Sequence, residues 1–329
     1  MGFRFGNAEL KYYFFNSKIW CTIVLSNNSF VKFTEIFETQ PDWQEQALKD
    51  LKAENLPQEL FTVSSEGFVI EPIYHHRPTQ SVGYPRLNPC VALSGIDCSH
   101  PDANSIALEV LNRGVGGLVF EAGQAEEVDP KIFESIEFEY IESVFLGNGL
   151  RTLPTSRAWH SVIALDASLS RNEAISFALK DLYENLQSQM AAKSQNKILF
   201  WAQVGDSFFI EMAALRALRI LANGLKAELG FEAELAIMAS TSIHGKTKEE
   251  ILISNPIQAL TSVLGGADML WVKPHEDSEF GRRIALNISH LLLDEAYLSK
   301  NADPTAGSYF IEAITHAICE RAWERFVNF

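Results

Sequence analysis

The chain is poor in cysteine: Cys21, Cys90, Cys98 and Cys319 are four in 329 residues, with no CxxC or Cys/His spacing among them. That gives no disulfide framework and no zinc-finger pattern, and it points to reduced thiols in a cytoplasmic protein. An excess of basic residues is also lacking. Lys and Arg number 27 against 42 Asp and Glu, a net charge of −15, which argues against nonspecific binding to nucleic acid or to an anionic membrane. No apolar run is long enough to span a bilayer; the run at Ile19 to Leu25 is too short, and no small-residue cleavage site follows it. Gly2 lacks the Ser or Thr that a myristoylation signal needs. No G-x-G-x-x-G follows the first strong strand candidate, so a dinucleotide-binding sheet gains no support.

What is present is an ordinary globular composition, 47% hydrophobic and 21% charged, with mean hydropathy −0.01. An α/β barrel of about 250 residues fits, with an extension at the N-terminus. Residues 1–41 read as that extension, either a peripheral strand or a start assigned too early, the second preferred. Residues 42–88 read as a helix on Trp43, Ala47, Leu48 and Leu51, an extended stretch Phe68 to Tyr74, and a polar, Pro-containing loop.

From residue 89 to 329, short apolar runs alternate with helical patterns. The strand candidates are Cys90–Leu93, Gly117–Phe120, Ser143–Leu146, Val162–Leu165, Ile198–Ala202, Leu235–Met238 and Met269–Val272. They are continuously apolar, as parallel strands buried on both faces should be. Ser105–Arg113, Glu173–Ala192, Ser207–Leu229 and Pro256–Leu264 read as helices between them. Seven β–α units and one more near the C-terminus predict a (β/α)8 barrel of TIM type.

Functional residues of such a barrel sit where strands end. That rule selects Asp97, Cys98 and His100, then Glu121, Asp166, Ser240 to Ser242, Lys273 and His275. Each has a plainer reading. Asp102 suits a helix N-cap. Cys98 beside His100 suits a nucleophile only if geometry assembles a triad. Lys273 suits a Schiff base only if desolvated. His75-His76 lacks a third metal ligand.

The last third carries a sharper pattern. "LGGADML", then "FGRRIALNISHLLLDEAYLSKNADPTAGSYFIEAITHAICERAWERF", resembles the barrel of the methylmalonyl-CoA mutase family. The matching positions are Gly265, Gly266, Arg283, Ile284, Ala285 and Asn287, then Asp303, Pro304, Gly307, Ser308, Tyr309, Glu312, Thr315, Ala322 and Trp323. Upstream, Phe208, Phe209, Glu211, Ala213, Arg216, Ala217 and Arg219 match a family helix, and Thr241 and Ser242 align with its Thr-Ser pair. "LNRGVGGLVFEAG" is more similar to the small subunits than to the catalytic chains.

The resemblance implies a barrel threaded by the pantetheine of coenzyme A. It also implies a catalytic partner chain whose cobalamin domain, marked D-x-H-x-x-G, opens a radical rearrangement between methylmalonyl-CoA and succinyl-CoA. This sequence has no D-x-H-x-x-G. Family polar positions hold Met238, Ser240, Leu286 and Ser289, so the resemblance implies no catalytic residue and no cofactor bound by this chain alone. The family's Tyr-His dipeptide aligns with Ser168-Leu169; Trp159-His160 reads as a structural pair ahead of the fourth strand, and Tyr74 as the end of a strand. Thr241, Ser242, Arg216 and Arg283 remain as candidates for a substrate tunnel. The expectation is a noncatalytic small-subunit-type component that supports a cobalamin-binding catalytic chain in a heterodimer. Its rivals are an independent barrel enzyme acting through Asp97, Cys98, His100 or Lys273, and a barrel that binds a coenzyme A thioester without chemistry. The close at Phe329 falls where a terminal helix is expected to continue.

Overall fold

The computed structural model describes residues 4–5, 8–15, 18–24, 43–52, 54–64, 66–74, 88–123, 127–147, 158–159, 161–192 and 197–329. His75, His76, Arg77 and His160 lie outside them. The chain divides into two compact units: residues 1–62 with 71–73, and residues 63–70 with 74–329.

In the first unit, strands Ala8–Phe15 and Lys18–Val24 form an antiparallel hairpin in register from Glu9↔Val24 to Phe15↔Lys18, extended by Arg4–Phe5. The helix expected on Trp43 runs Trp43–Leu51, and the Trp43 ring lies 6.2 Å from that of Phe61.

The second unit is built on eight parallel strand segments. They are β1 (Val91–Asp97), β2 (Gly117–Glu121), β3 (Glu142–Leu146), β4 (Ala158–Trp159), β5 (Ser161–Ala164), β6 (Lys197–Val204), β7 (Glu234–Thr241) and β8 (Met269–Trp271). Their order in the sheet is β5-β6-β7-β8-β1-β2-β3-β4. The two ends of that order are neighbours in sequence. β4 pairs with β3 (Ser143↔Ala158), β5 pairs with β6 (Ser161↔Ile198), and one residue separates them. The sheet therefore curls until its edges meet, and the unit is an α/β barrel of TIM type. The eighth segment arises from this division around residue 160; the further unit expected near the C-terminus is helical.

The strands alternate between two apolar environments, which is why their sequences run apolar without a break. Leu93, Val119, Val144, Trp159, Leu199, Ala236, Met238, Met269 and Trp271 form one buried cluster drawn from seven of the eight segments, so they fill the barrel axis. Residues between them, such as Leu118, Phe120 and Leu270, face outward to helices. At roughly 1.5–3 kcal/mol for each large apolar side chain, axis and helix layers both favour closure. β2 begins at Gly117 because β3 lies against it: a Cβ there would sit 2.4 Å from the carbonyl oxygen of Glu142.

Among the described residues six α-helices surround the barrel: α1 (Ala103–Asn112), α2 (Arg171–Ala192), α3 (Phe208–Glu228), α4 (Lys248–Leu264), α5 (Glu279–His290) and α6 (Tyr309–Val327). Leu179, Leu182, Leu218 and Ile318 pack α2, α3 and α6 into one core. α4 starts eight residues before the expected Pro256. A capping box between Thr247 and Glu250 satisfies its first amides and lets the helix form ahead of the proline. Among the described residues no helix is long and apolar enough to cross a membrane.

Candidate functional site at the barrel mouth

Strand ends β1, β2, β7 and β8, with the start of α5, enclose a cavity of about 400 Å³. Asp97, His100, Glu121, Lys273 and His275, all singled out by the strand-end rule, line it. Trp271 forms part of the wall and Gly95 admits it: a Cβ on Gly95 would lie 2.5 Å from the indole.

Lys273 follows β8. Its amide donates to Thr241 Oγ1 at 2.9 Å, and its carbonyl accepts from Asn255 Nδ2 at 2.8 Å, which fixes the backbone. Its ammonium group lies 4.7 Å from the Trp271 ring centroid and 5.5 Å from that of Trp201. Burial among these rings lowers the Lys273 pKa, and the charge of Glu121 opposes the shift. Burial raises the pKa of Glu121; Lys273 pulls it down and Asp97 adds to the rise.

Other acids at the mouth are already engaged. Asp97 accepts from the amide of Ser99 at 2.8 Å and its hydroxyl at 2.6 Å, which hold its carboxyl below the usual range. Glu276 accepts from Lys248 at 2.8 Å and Ser278 at 2.7 Å, and Asp277 accepts from Arg282 at 3.1 Å. Two buried nitrogens, Trp271 Nε1 and His275 Nδ1, have no hydrogen-bond partner among the described residues.

The remaining candidates lie otherwise. Cys98 is half-buried, and burial with the charges of Asp97 and Glu121 pushes its thiol up to about 11. At pH 7 only about one such thiol in ten thousand is a thiolate, so the Cys98 environment opposes a nucleophile. His100 does not turn to it: its Nδ1 accepts from the amide of Asp102 at 3.0 Å. Asp102 holds the N-cap position of α1 without a side-chain cap bond. Asp166 is exposed and bonded to Ser168. Trp159 lies within the divided fourth strand, not ahead of it, because that strand begins earlier than its apolar run; its indole donates to Glu142 at 2.9 Å. Tyr74 ends no strand, since the extended pairing stops at Ile70, and its ring packs 5.4 Å from Phe310.

Sequence reasoning missed Trp201 and Trp271, which read as strand filler, and Gly95, which lies two residues past the predicted end of the first strand. It also missed Asp206, which accepts from Lys246 and Gln258, each at 2.6 Å. β6 runs to Val204, two residues past its predicted end, and the corrected boundary brings Asp206 under the strand-end rule.

Residues 168–328 match the family model described as methylmalonyl-CoA mutase. That stretch belongs to the methylmalonyl-CoA mutase family. A methylmalonyl-CoA mutase of Rhizobium meliloti is 28% identical over 176 residues, 48% of this chain and 25% of the relative. A methylmalonyl-CoA mutase small subunit of Porphyromonas gingivalis is 31% identical over 146 residues, 40% of this chain and 24% of the relative. A probable small subunit of Mycobacterium bovis is 31% identical over 145 residues, with the same shares of 40% and 24%. The matched stretches thus span about a quarter of these relatives' length. Among solved structures, wild-type GGGPS from Thermoplasma volcanium covers 65% of this chain and 94% of its own, at 10% identity and TM-score 0.32.

The positions that the mutase resemblance singles out have definite surroundings. Met238 is buried in the axis, and Ser240 Oγ accepts from Trp201 Nε1 at 2.9 Å. Leu286 lines the mouth, and the Ser289 hydroxyl is buried without a partner among the described residues. The amide of Ser242 donates to Gln258 Oε1 at 2.8 Å. Arg216 pairs with Asp303 and, at 3.2 Å, with Glu312, and donates to Thr305 at 3.0 Å. Arg283 lies 5.3 Å from the Phe280 ring centroid. Thr241 thus joins Lys273 at the mouth, whereas Arg216 ties α3 to α6 and the segment before it.

Proposed function

We propose that the chain is a small-subunit-type component of an adenosylcobalamin-dependent methylmalonyl-CoA mutase, noncatalytic by itself, that supports a cobalamin-binding catalytic chain in a heterodimer. The observation that carries this reading is the filled axis. Where the resemblance implies a pantetheine tunnel, nine apolar side chains from seven strand segments pack against one another. A thioester there needs amide or charge-assisted donors at fixed positions; Met238 supplies none, and the Ser240 hydroxyl is turned to Trp201. The names of the Porphyromonas and Mycobacterium relatives support the small-subunit assignment.

Adenosylcobalamin, when bound, supplies the radical chemistry of the isomerisation. The mouth cavity, about 400 Å³, does not fit a corrinoid with its nucleotide tail, so the reading leaves that group to the partner. What this chain contributes is a rigid barrel whose interior excludes water.

Co-expression with a cobalamin-binding mutase chain tests the reading. A stable one-to-one complex on size exclusion is expected, with no turnover of methylmalonyl-CoA by this chain alone. Separate elution at every concentration, or turnover by the isolated chain with added adenosylcobalamin, overturns it.

A further inference from the structure

We propose that the aromatic face shared by α2 and α6 docks the catalytic chain of the heterodimer, through a patch on that chain with an apolar centre and a rim of lysine and arginine. This rests on the subunit role proposed above and names the surface that serves it.

Two exposed stripes build the face. On α2, Phe177, Asp181 and Glu184 recur at helical steps of four and three; on α6, Glu320, Trp323, Glu324 and Val327 do the same, and all are exposed. Ring contacts join the stripes. Phe177 lies 4.9 Å from Phe329, Tyr183 6.4 Å from Phe326, and Phe326 5.3 Å from Trp323. The opposite sides of both helices are buried through Leu179, Leu182 and Ile318, so core packing does not account for the outer aromatics. Phe177 is 44% exposed, Trp323 39%, Val327 64% and Phe329 57%. At about 150–250 Å² for a whole aromatic side chain, these fractions leave on the order of 300 Å² of apolar surface, a patch of the size that marks interaction sites. Aromatic side chains are also the ones enriched where proteins meet.

Charge selects the occupant. Among the described residues the carboxylates of Asp181, Glu184 and Glu324 make no hydrogen bond or ion pair, and all three flank the rings. The bases beside them are engaged: Arg325 pairs with Glu173 at 2.7 Å, and Lys180 Nζ lies 5.0 Å from the Phe329 ring centroid. Burial and the charge of Glu184 raise the Asp181 pKa against the pull of Lys180, a sign of repulsion left in the rim. A second copy of the chain would bring two such rims, and two net charges of −15, against each other. An anionic membrane meets the same repulsion. A different chain with basic residues around an apolar centre relieves the rim and covers the rings.

Binding kinetics test the surface. The full chain, native or substituted, is titrated against an immobilised cobalamin-binding mutase chain, and the melting temperature of each free variant reports its fold. Trp323→Ala is expected to weaken binding about thirtyfold, the loss typical of an aromatic anchor. Asp181→Lys with Glu184→Lys changes only exposed side chains; it should slow association about tenfold at low salt and flatten its salt dependence. Ile253→Ser, at an exposed apolar position on α4, should bind as the native chain does. Native affinity in Trp323→Ala together with a native association rate in the double lysine variant overturns this surface while the heterodimer stands. An equal loss in Ile253→Ser also overturns it. No binding by the native chain overturns both proposals. Self-association of the free chain on sedimentation, abolished by Trp323→Ala, overturns the heterologous partner in favour of a second copy.

Discussion

Gly95 on β1 lies directly beneath the Trp271 indole of β8, so close that a methyl group on Gly95 would come within 2.5 Å of Cζ2 and 2.9 Å of Cε2. The ring is 3% exposed and packs 6.0 Å from Trp201, so it has little room to retreat. Gly95→Ala is expected to destabilise the barrel by about 1–3 kcal/mol, the usual cost of overpacking. Urea unfolding measures the loss. Gly95→Ala combined with Trp271→Leu should recover part of it, since the smaller side chain vacates the collision; additive losses would refute the contact as the cause.

A second long-range dependence holds the start of α2. The Glu66 carboxylate accepts from the amides of Arg171 at 2.8 Å and Asn172 at 2.9 Å, and from Asn172 Nδ2 at 2.8 Å. Glu66 is 5% exposed. It satisfies orphan donors of the first turn and places negative charge at the positive end of the helix. Glu66→Ala should cost about 2–4 kcal/mol, above an ordinary cap, because buried donors lose their acceptor. Hydrogen exchange should show early opening at residues 171–175; protection equal to the native chain would count against this role.

These contacts mark where sequence reading succeeds and where it stops. The strands β1, β2, β3 and β6 were legible because both their faces are buried, which writes an unbroken apolar run into the chain. The division at Ala158–Trp159 was not, since Ser161 and the polar residue before it break that run. Lys273 and Glu121 were legible from position alone: in a barrel, polar residues just past an apolar strand face the mouth. Gly95 and Trp271 were not, because a glycine and an indole inside strands carry no sign of meeting across the β1–β8 seam. Glu66 caps a helix 105 residues away, and such a pairing leaves no local pattern. The Pro256 expectation failed through proline's preference for a first helical turn, which the Thr247–Glu250 box overrode.

Arg216 offers a direct contrast between a structural and a ligand-binding residue. It is 7% exposed and bound to Asp303, Thr305 and Glu312, the last also 7% exposed. Arg216→Met keeps most of its volume but leaves two carboxylates near each other without their cation. Breaking a buried pair in this way costs about 3–5 kcal/mol. Arg216→Lys should recover less than half, since one ammonium cannot reproduce the fork that reaches both acids. Chemical denaturation checks both. Native stability in Arg216→Met, with a change only in coenzyme A thioester binding by calorimetry, would return Arg216 to the tunnel.

The pair at the mouth should also leave a signature in the pH dependence of stability. Burial raises the folded pKa of Glu121 above its unfolded value. Between the two, the folded chain holds more protons than the unfolded one, so this group's contribution falls as pH rises through that window and stays lost above it. Lys273 is lowered, so between its folded value and the ordinary lysine value the unfolded chain holds more protons and stability rises with pH. Glu121→Gln should therefore flatten the acid-side decline and make the chain more stable than native at neutral pH. Because the Glu121 charge holds the Lys273 pKa up, the same substitution should start the alkaline rise at lower pH. Urea midpoints across the pH range check both limbs. An unchanged acid limb in Glu121→Gln would mean that the Glu121 carboxyl is solvated, and an unchanged alkaline limb that it does not act on Lys273.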